Sequence, residues 1–251
     1  MLHKWELTIP TLSPDHQRNA YIYLPREYEE NPEKRFPVLY MFDGHNVFLD
    51  SDATYGTSWG MYEYMNESET PLIIVAVACN KIGNRRLIEY SPFNHTTAKL
   101  GHMTGLGRTY MEWLTGTLKP QIDAQYRTLP GRENTLIAGS SMGGLMSLYA
   151  VCDYNHVFSR AACLSPSLWV GPWRVRRMIR RARFDKDTCI YMDYGREELR
   201  NHRGSLTALR IASQTLLARG VDITFRIVPN GRHCEASWAK QVPVFMKCLG
   251  L

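Results

Sequence analysis

The residues best placed to do chemistry lie together at Gly139-Ser140-Ser141-Met142-Gly143-Gly144, a match to G-x-S-x-G with Ser141 at its centre. A serine hydroxyl attacks an acyl carbon only when the backbone lifts it clear of the chain and a base takes its proton. The spacing serves the first need. At the tip of a sharp strand-to-helix turn the backbone is strained, and side chains two residues either side of the serine would collide across the turn. Gly139 and Gly143 avoid that collision. TLIAG (135–139) reads as a short strand and LMSLYAVC (145–152) as a helix, which is the setting the motif requires.

The second need points to histidine. Sites of this kind run serine, acid, histidine along the chain, and His156, His202 and His233 follow Ser141. His156 comes too early and His202 sits in a polar stretch, DYGREELRNHRG. His233, in PNGRHCEASW, falls between the last expected strand and the last expected helix, where an imidazole would meet Ser141. An acid that orients this base should follow the strand Thr188–Tyr194. Asp193, Glu197 and Glu198 compete there: Asp193 belongs to the strand end, whereas Glu197 and Glu198 lie past Gly195, where the chain can turn back toward the histidine, and of these Glu198 is chosen with Glu197 and Asp193 as alternatives. Two glutamates opening a helix would also be favourable on dipole grounds alone.

An acyl-transfer site also needs donors for the tetrahedral oxyanion. The backbone N–H of Met142 is one expected donor. The other is the N–H of His45, in the loop Asp43-Gly44-His45-Asn46 that follows the strand FPVLYMF (36–42). A metal role for His45 with Asp43 is the rival reading. No further ligand cluster with metal spacing accompanies them, so a catalytic metal is not expected.

Elements that position these groups are legible in the hydropathy pattern. Glu6–Thr11 and Ala20–Leu24 read as two edge strands around a turn at SPDHQR. Phe36–Phe42 and Leu72–Cys79 are continuous apolar runs of the kind buried on both faces of a parallel sheet. A helix is expected near Gly60–Asn66, and a long amphipathic segment, Arg108–Tyr126, should be kinked or interrupted at Pro120. Beyond the elbow, strands at Ala161–Leu164, Thr188–Tyr194 and Val221–Val228 alternate with helices at Arg174–Arg183, Ser205–Ala218 and Ala236–Cys248. The expected fold is a single α/β domain over residues 1–251, with a mostly parallel central sheet and helices on both faces. Its catalytic groups should lie on loops at the carboxyl ends of the strands.

The net charge of +6 is concentrated in WRVRRMIRRARF (173–184), where Val175, Met178, Ile179 and Ala182 form one apolar stripe and arginines fill the other faces. A docked surface helix is the favoured reading, and an anionic-ligand or partner surface the sharper one. Six scattered cysteines suggest free thiols in a reducing cytoplasm. Neither an apolar signal-peptide core nor a membrane-spanning run is readable, and no nucleic-acid or membrane partner is expected. Association of identical copies through an exposed helix or edge strand is compatible with the sequence.

YMFDGHNVF (40–48), RRLIEYSPF (85–93), YRTLPGRENTLIAGSSMGGL (126–145), MDYGREE (192–198) and GRHCEASW (231–238) together resemble the putative esterase family of α/β-hydrolases. That family includes S-formylglutathione hydrolases, feruloyl and acetylxylan esterases, enterochelin-type esterases and mycolyltransferases. The resemblance implies an α/β-hydrolase fold, no cofactor, and a triad of Ser141, His233 and an acid three residues past the glycine, here Glu198. Aspartate is familiar at that place, so the glutamate is a departure. It also favours a feruloyl or acetyl ester of a carbohydrate, a siderophore-like ester, or a small metabolite ester as substrate. Trp59, Phe93 and Trp169 are candidate walls of the substrate pocket, and the polar segment 80–104 a candidate for its mouth. Two rivals stand beside ester hydrolysis: acyl transfer to an alcohol by the same groups, and a non-catalytic module that binds through the arginine helix.

Overall fold

The computed structural model describes residues 1–97, 101–201 and 203–251. His202, set aside above as a base, and residues 98–100 of the polar segment lie outside the described residues. Eight strands form one sheet, in the order β1 (Leu2–Ile9), β2 (Ser13–Tyr23), β4 (Ile73–Val77), β3 (Val38–Phe42), β7 (Thr135–Ser140), β8 (Arg160–Leu164), β9 (Cys189–Gly195) and β10 (Asp222–Val228). β5 (His95–Thr97) and β6 (Gly101–Met103) pair separately as a small hairpin. β2 runs antiparallel to both neighbours, and every pairing from β4 to β10 is parallel.

The unbroken apolar runs become the inner strands for the reason the pattern gives. β3, β4 and β7 are buried at every position, and their side chains alternate between two cores. Val38, Tyr40 and Phe42 join the core made with the helices Gly107–Trp113, Met142–Asp153, Pro172–Arg181 and Arg203–Ala218. Leu39 and Met41 face the core made with the helices Met61–Ser68 and Val242–Cys248. A sheet covered on both faces can dispense with polar alternation.

Several boundaries differ from the pattern. SPDHQR is not a turn but the start of β2; the reversal falls at Pro10–Leu12, with the Leu12 amide donating to Ile9 at 3.0 Å. β2 is not an edge strand, since it lies between β1 and β4, so its Tyr21, Ile22 and Tyr23 are buried. Pro120 does not break its helix. The chain widens into a π turn at Leu114–Leu118 just before it, which relieves the clash of the proline ring with the preceding turn. The last helix is two, Glu235–Ala239 and Val242–Cys248, with a proline in the first turn of the second. No helix among the described residues is long and apolar enough to cross a membrane.

Candidate active site

The elbow forms where β7 meets the helix Met142–Asp153. Ser141 takes φ 58° and ψ −119°, a conformation that costs a non-glycine residue on the order of 1–3 kcal/mol. The surroundings hold it there: its N–H donates to the Leu164 carbonyl at 2.9 Å, and its own carbonyl accepts from Leu145 at 3.0 Å and Ser167 at 2.9 Å. A Cβ on Gly139 would come within 2.7 Å of the Gly143 backbone, and one on Gly143 within 2.9 Å of Phe42 Cβ. These two positions therefore admit only glycine, in keeping with the spacing argument.

Three strand ends converge on the serine. His233, in the loop after β10, places Nε2 2.9 Å from Ser141 Oγ and Nδ1 2.7 Å from Glu198 Oε2. Glu198 belongs to the helix Arg196–Asn201 that follows β9. Burial pushes its pKa up, but hydrogen bonds from His233, Ser165 and the Gly195 amide outweigh that and hold it below the usual glutamate value. The other two acids are committed elsewhere. Asp193 is buried in β9 and accepts from the Tyr191 hydroxyl at 2.8 Å and the Ser165 amide at 3.2 Å, and burial raises its pKa to about 6. Glu197 pairs with Arg200 on the surface at 2.9 Å.

Behind the histidine is a ring of contacts that the sequence did not single out. Ser165, with φ 42°, donates its hydroxyl to Glu198 Oε1 at 2.7 Å and accepts from Trp238 Nε1 at 3.0 Å. Trp238 in turn meets the His233 ring edge-on, with centroids 5.0 Å apart. Ser165 and Trp238 are buried, so each of their polar atoms must find its partner inside the protein. The available signal was the polar run Ser165-Pro166-Ser167 directly after a buried strand, at the carboxyl edge of the sheet.

On the other side of the serine lies the loop after β3. Asp43 takes a left-handed φ of 55°, and a Cβ on Gly44 would strike the Ala76 backbone at 2.7 Å. His45 is buried, which lowers its pKa to about 4, and its Nδ1 lacks a hydrogen-bond partner among the described residues. The loop abuts the elbow, because a Cβ on Gly143 would lie 3.4 Å from Asp43 Oδ2. Met142 opens its helix, so its N–H has no intrahelical acceptor. The two expected oxyanion donors thus sit on adjoining segments.

Arg86 grips Asp43 through two hydrogen bonds of 2.7 Å, and Glu89 takes the Asn80 amide at 2.7 Å and Arg18 at 3.0 Å. Burial pushes the Asp43 carboxyl up, but the guanidinium outweighs it and keeps its pKa low. Arg86 thus braces this loop. Asp43, His45 and Cys79 bring ligand atoms within 4.8 Å of one another. With both carboxylate oxygens engaged by a guanidinium, this grouping fits a divalent cation poorly.

A cleft of about 1060 Å³ opens beside His233, walled by Ser165, Trp169, Tyr194, Gly204, Ser205 and Arg232 among others. Trp169 is 48% exposed there, as a wall residue should be. Trp59 is a correction: it is 4% exposed and packs on Trp238 and Phe245, because its indole completes the core behind the site. Phe93 is another. It packs half-buried against the core and does not line the cleft, nor does any described residue of 80–104.

The chain is 23% identical over 154 residues to the uncharacterized protein YbbA of Bacillus subtilis (strain 168), covering 61% of this chain and 58% of that one. It therefore spans a little over half the length of this curated relative. Among solved structures it is similar to a ferulic acid esterase, at 20% identity and a TM-score of 0.69 over 99% of this chain and 96% of that one. An IroE-like serine hydrolase from Shewanella oneidensis matches at 18% identity and a TM-score of 0.76 over 100% and 88%. The siderophore hydrolase EstA from Aspergillus nidulans matches at 17% and 0.73 over 98% and 94%. These neighbours share the α/β-hydrolase architecture. The family model described as putative esterase matches residues 11–246, and the chain belongs to that family.

Proposed function

We propose that this esterase hydrolyses carboxylic esters through a covalent acyl-enzyme on Ser141. The observation that carries the reading is the imidazole of His233, set between Ser141 Oγ at 2.9 Å and Glu198 Oε2 at 2.7 Å. His233 takes the hydroxyl proton as Oγ bonds to the ester carbon, then returns it to the departing alcohol. The ionised Glu198 fixes the tautomer that leaves Nε2 free to accept, and stabilises the imidazolium that forms. The N–H groups of Met142 and His45 receive the oxyanion. Water then repeats the sequence and releases the acid.

The substrate we favour is a feruloyl or acetyl ester of a carbohydrate, or a siderophore-like or other small metabolite ester. The size of the cleft and its aromatic wall at Trp169 support a flat or ring-bearing group, and a ferulic acid esterase and a siderophore hydrolase are among the structural neighbours. The test is turnover of p-nitrophenyl acetate and butyrate, methyl ferulate and an acetylated xylo-oligosaccharide by wild type, Ser141→Ala and His233→Ala. Hydrolysis by wild type that falls at least about a thousandfold in both variants supports the reading. An inactive wild type, or full activity in Ser141→Ala, overturns it.

A further inference from the structure

The helix Pro172–Arg181 and the residues after it carry Arg174, Arg176, Arg177, Arg180, Arg181 and Arg183, with no acid between Trp173 and Phe184. The six equal the formal net charge of +6, so the remaining cations and carboxylates of the chain balance. All six are exposed, over a buried stripe of Val175, Met178, Ile179 and Ala182. Among the described residues none is in an ion pair. Charge held out in this way raises the local potential and draws in anions.

The fold joins this charge to the cleft. The turn Leu168–Val170 carries Trp169 into the cleft wall and runs through Gly171 into the arginine helix. Arg174 folds back over that junction: a Cβ on Gly171 would lie 3.4 Å from its stem. The arginine helix packs along Arg203–Ala218, whose first turn gives Gly204 and Ser205 to the cleft. Inside the cleft Arg232 stands beside His233, exposed and, among the described residues, in no ion pair. The two glutamates of the wall are spoken for, Glu198 by His233 and Glu197 by Arg200.

We infer that the cleft selects esters bearing a carboxylate or similar anion near the scissile bond, held by Arg232 and drawn in by the arginine helix. This narrows the substrates proposed above to those that carry an anion, and rests on the site's reading as an ester hydrolase. A guanidinium fork matches a carboxylate with two parallel hydrogen bonds, and Trp169 in the same wall supplies aromatic surface for a ring that carries the anion. The two contributions separate by range. Contact at Arg232 is short-range and resists salt, whereas the field of the helix fades over a Debye length of about 8 Å at physiological salt.

The test uses two matched pairs of esters. Monomethyl terephthalate against methyl 4-acetylbenzoate puts the charge on the acid side, and 4-acetoxybenzoate against 4-acetylphenyl acetate puts it on the alcohol side. Each kcat/KM is divided by the ester's alkaline hydrolysis rate. At low salt, the anionic member of at least one pair is preferred about tenfold or more. Arg232→Gln brings that preference close to parity. The triple variant Arg174→Ser, Arg176→Ser, Arg177→Ser removes the part that wild type loses at high salt. Parity in both pairs, or a preference unmoved by Arg232→Gln, overturns the inference, while the hydrolase reading stands if turnover needs Ser141. If neither pair is turned over, the hydrolase reading is the one in question. Charge selection is then read from calorimetric binding of monomethyl terephthalate and methyl 4-acetylbenzoate to the Ser141→Ala protein, where equal affinity overturns it.

Discussion

The two flanks of Ser141 are held by different physics. On the side of the proposed oxyanion donors, Asp43 is locked to Arg86 and Glu89 to Arg18 by ion pairs with oxygen–nitrogen distances of 2.7–3.0 Å, in surroundings that are largely buried. On the base side, Glu198, Ser165, Trp238 and His233 form a ring of hydrogen bonds and an edge-on aromatic contact with no permanent cation in it. The contrast matches the work each flank would do. Oxyanion donors are backbone groups that must stay fixed while charge appears, so rigid ionic bracing suits them. A base must gain and lose a proton, and a permanent cation bonded within that ring would oppose the gain, whereas Arg232 stands outside it, exposed and screened by solvent.

The largest expected effect tests the base side. Glu198→Gln keeps the shape but removes the charge that orients His233, and kcat should fall by about 10³–10⁴ with little change in melting temperature. Asp193→Asn is the control, since Asp193 faces Tyr191 and Ser165; its kcat should stay within a fewfold of wild type. An equal collapse in both variants would erase the distinction drawn between the two acids.

Arg86→Gln tests the oxyanion side. Removing the guanidinium strands a buried carboxylate, which should cost about 3 kcal/mol of stability by urea denaturation, with kcat lowered and KM little changed. A stable variant of normal kcat would show that the ion pair does not brace the loop.

Ser165→Ala should be milder. It removes one of the hydrogen bonds to Glu198 and leaves Trp238 Nε1 unpaired, so kcat should drop about tenfold. The acid limb of the kcat–pH profile should move as Glu198 loses an anion-stabilising donor. A merely structural role would lower stability without moving that limb.

The last prediction concerns pH and stability and leaves turnover nearly untouched. Asp193 has a folded pKa of about 6 against 3.8, so the folded protein holds this proton more tightly than the unfolded chain does. Its contribution to stability is fully present below about pH 4 and is lost as pH rises through 6. Relative to wild type, Asp193→Asn should therefore gain up to about 3 kcal/mol between pH 4 and 8. A flat difference in unfolding free energy across that range would show that the burial does not act on this group.

How far the sequence reaches follows from the range of each interaction. The elbow is local: glycines two residues either side of Ser141 are demanded by the turn itself, and spacing reveals them. Glu198 was favoured over Asp193 on similar grounds, because a strand-end residue points into the sheet while one past Gly195 can reach back. The Arg86–Asp43 pair spans 43 residues, and nothing in either segment alone announces the other. Trp59 had the right residue type for a pocket wall, yet an indole serves a core equally well, and only the packing of Trp238 and Phe245 decides between them. The split of the last helix, by contrast, is legible in Pro243, which falls in the first turn of the second piece.

The three groups gathered at the serine hang from strands of unequal depth. β7 is buried at every position, whereas β10, whose following loop delivers His233, is the outer strand and has no wholly buried residue. Fraying therefore begins at the border of the sheet that holds the base, and the buried interior can outlast it. On gradual warming, ester turnover would be the first property to vanish, a sentinel of marginal integrity that dims while far-UV dichroism still reports an intact fold.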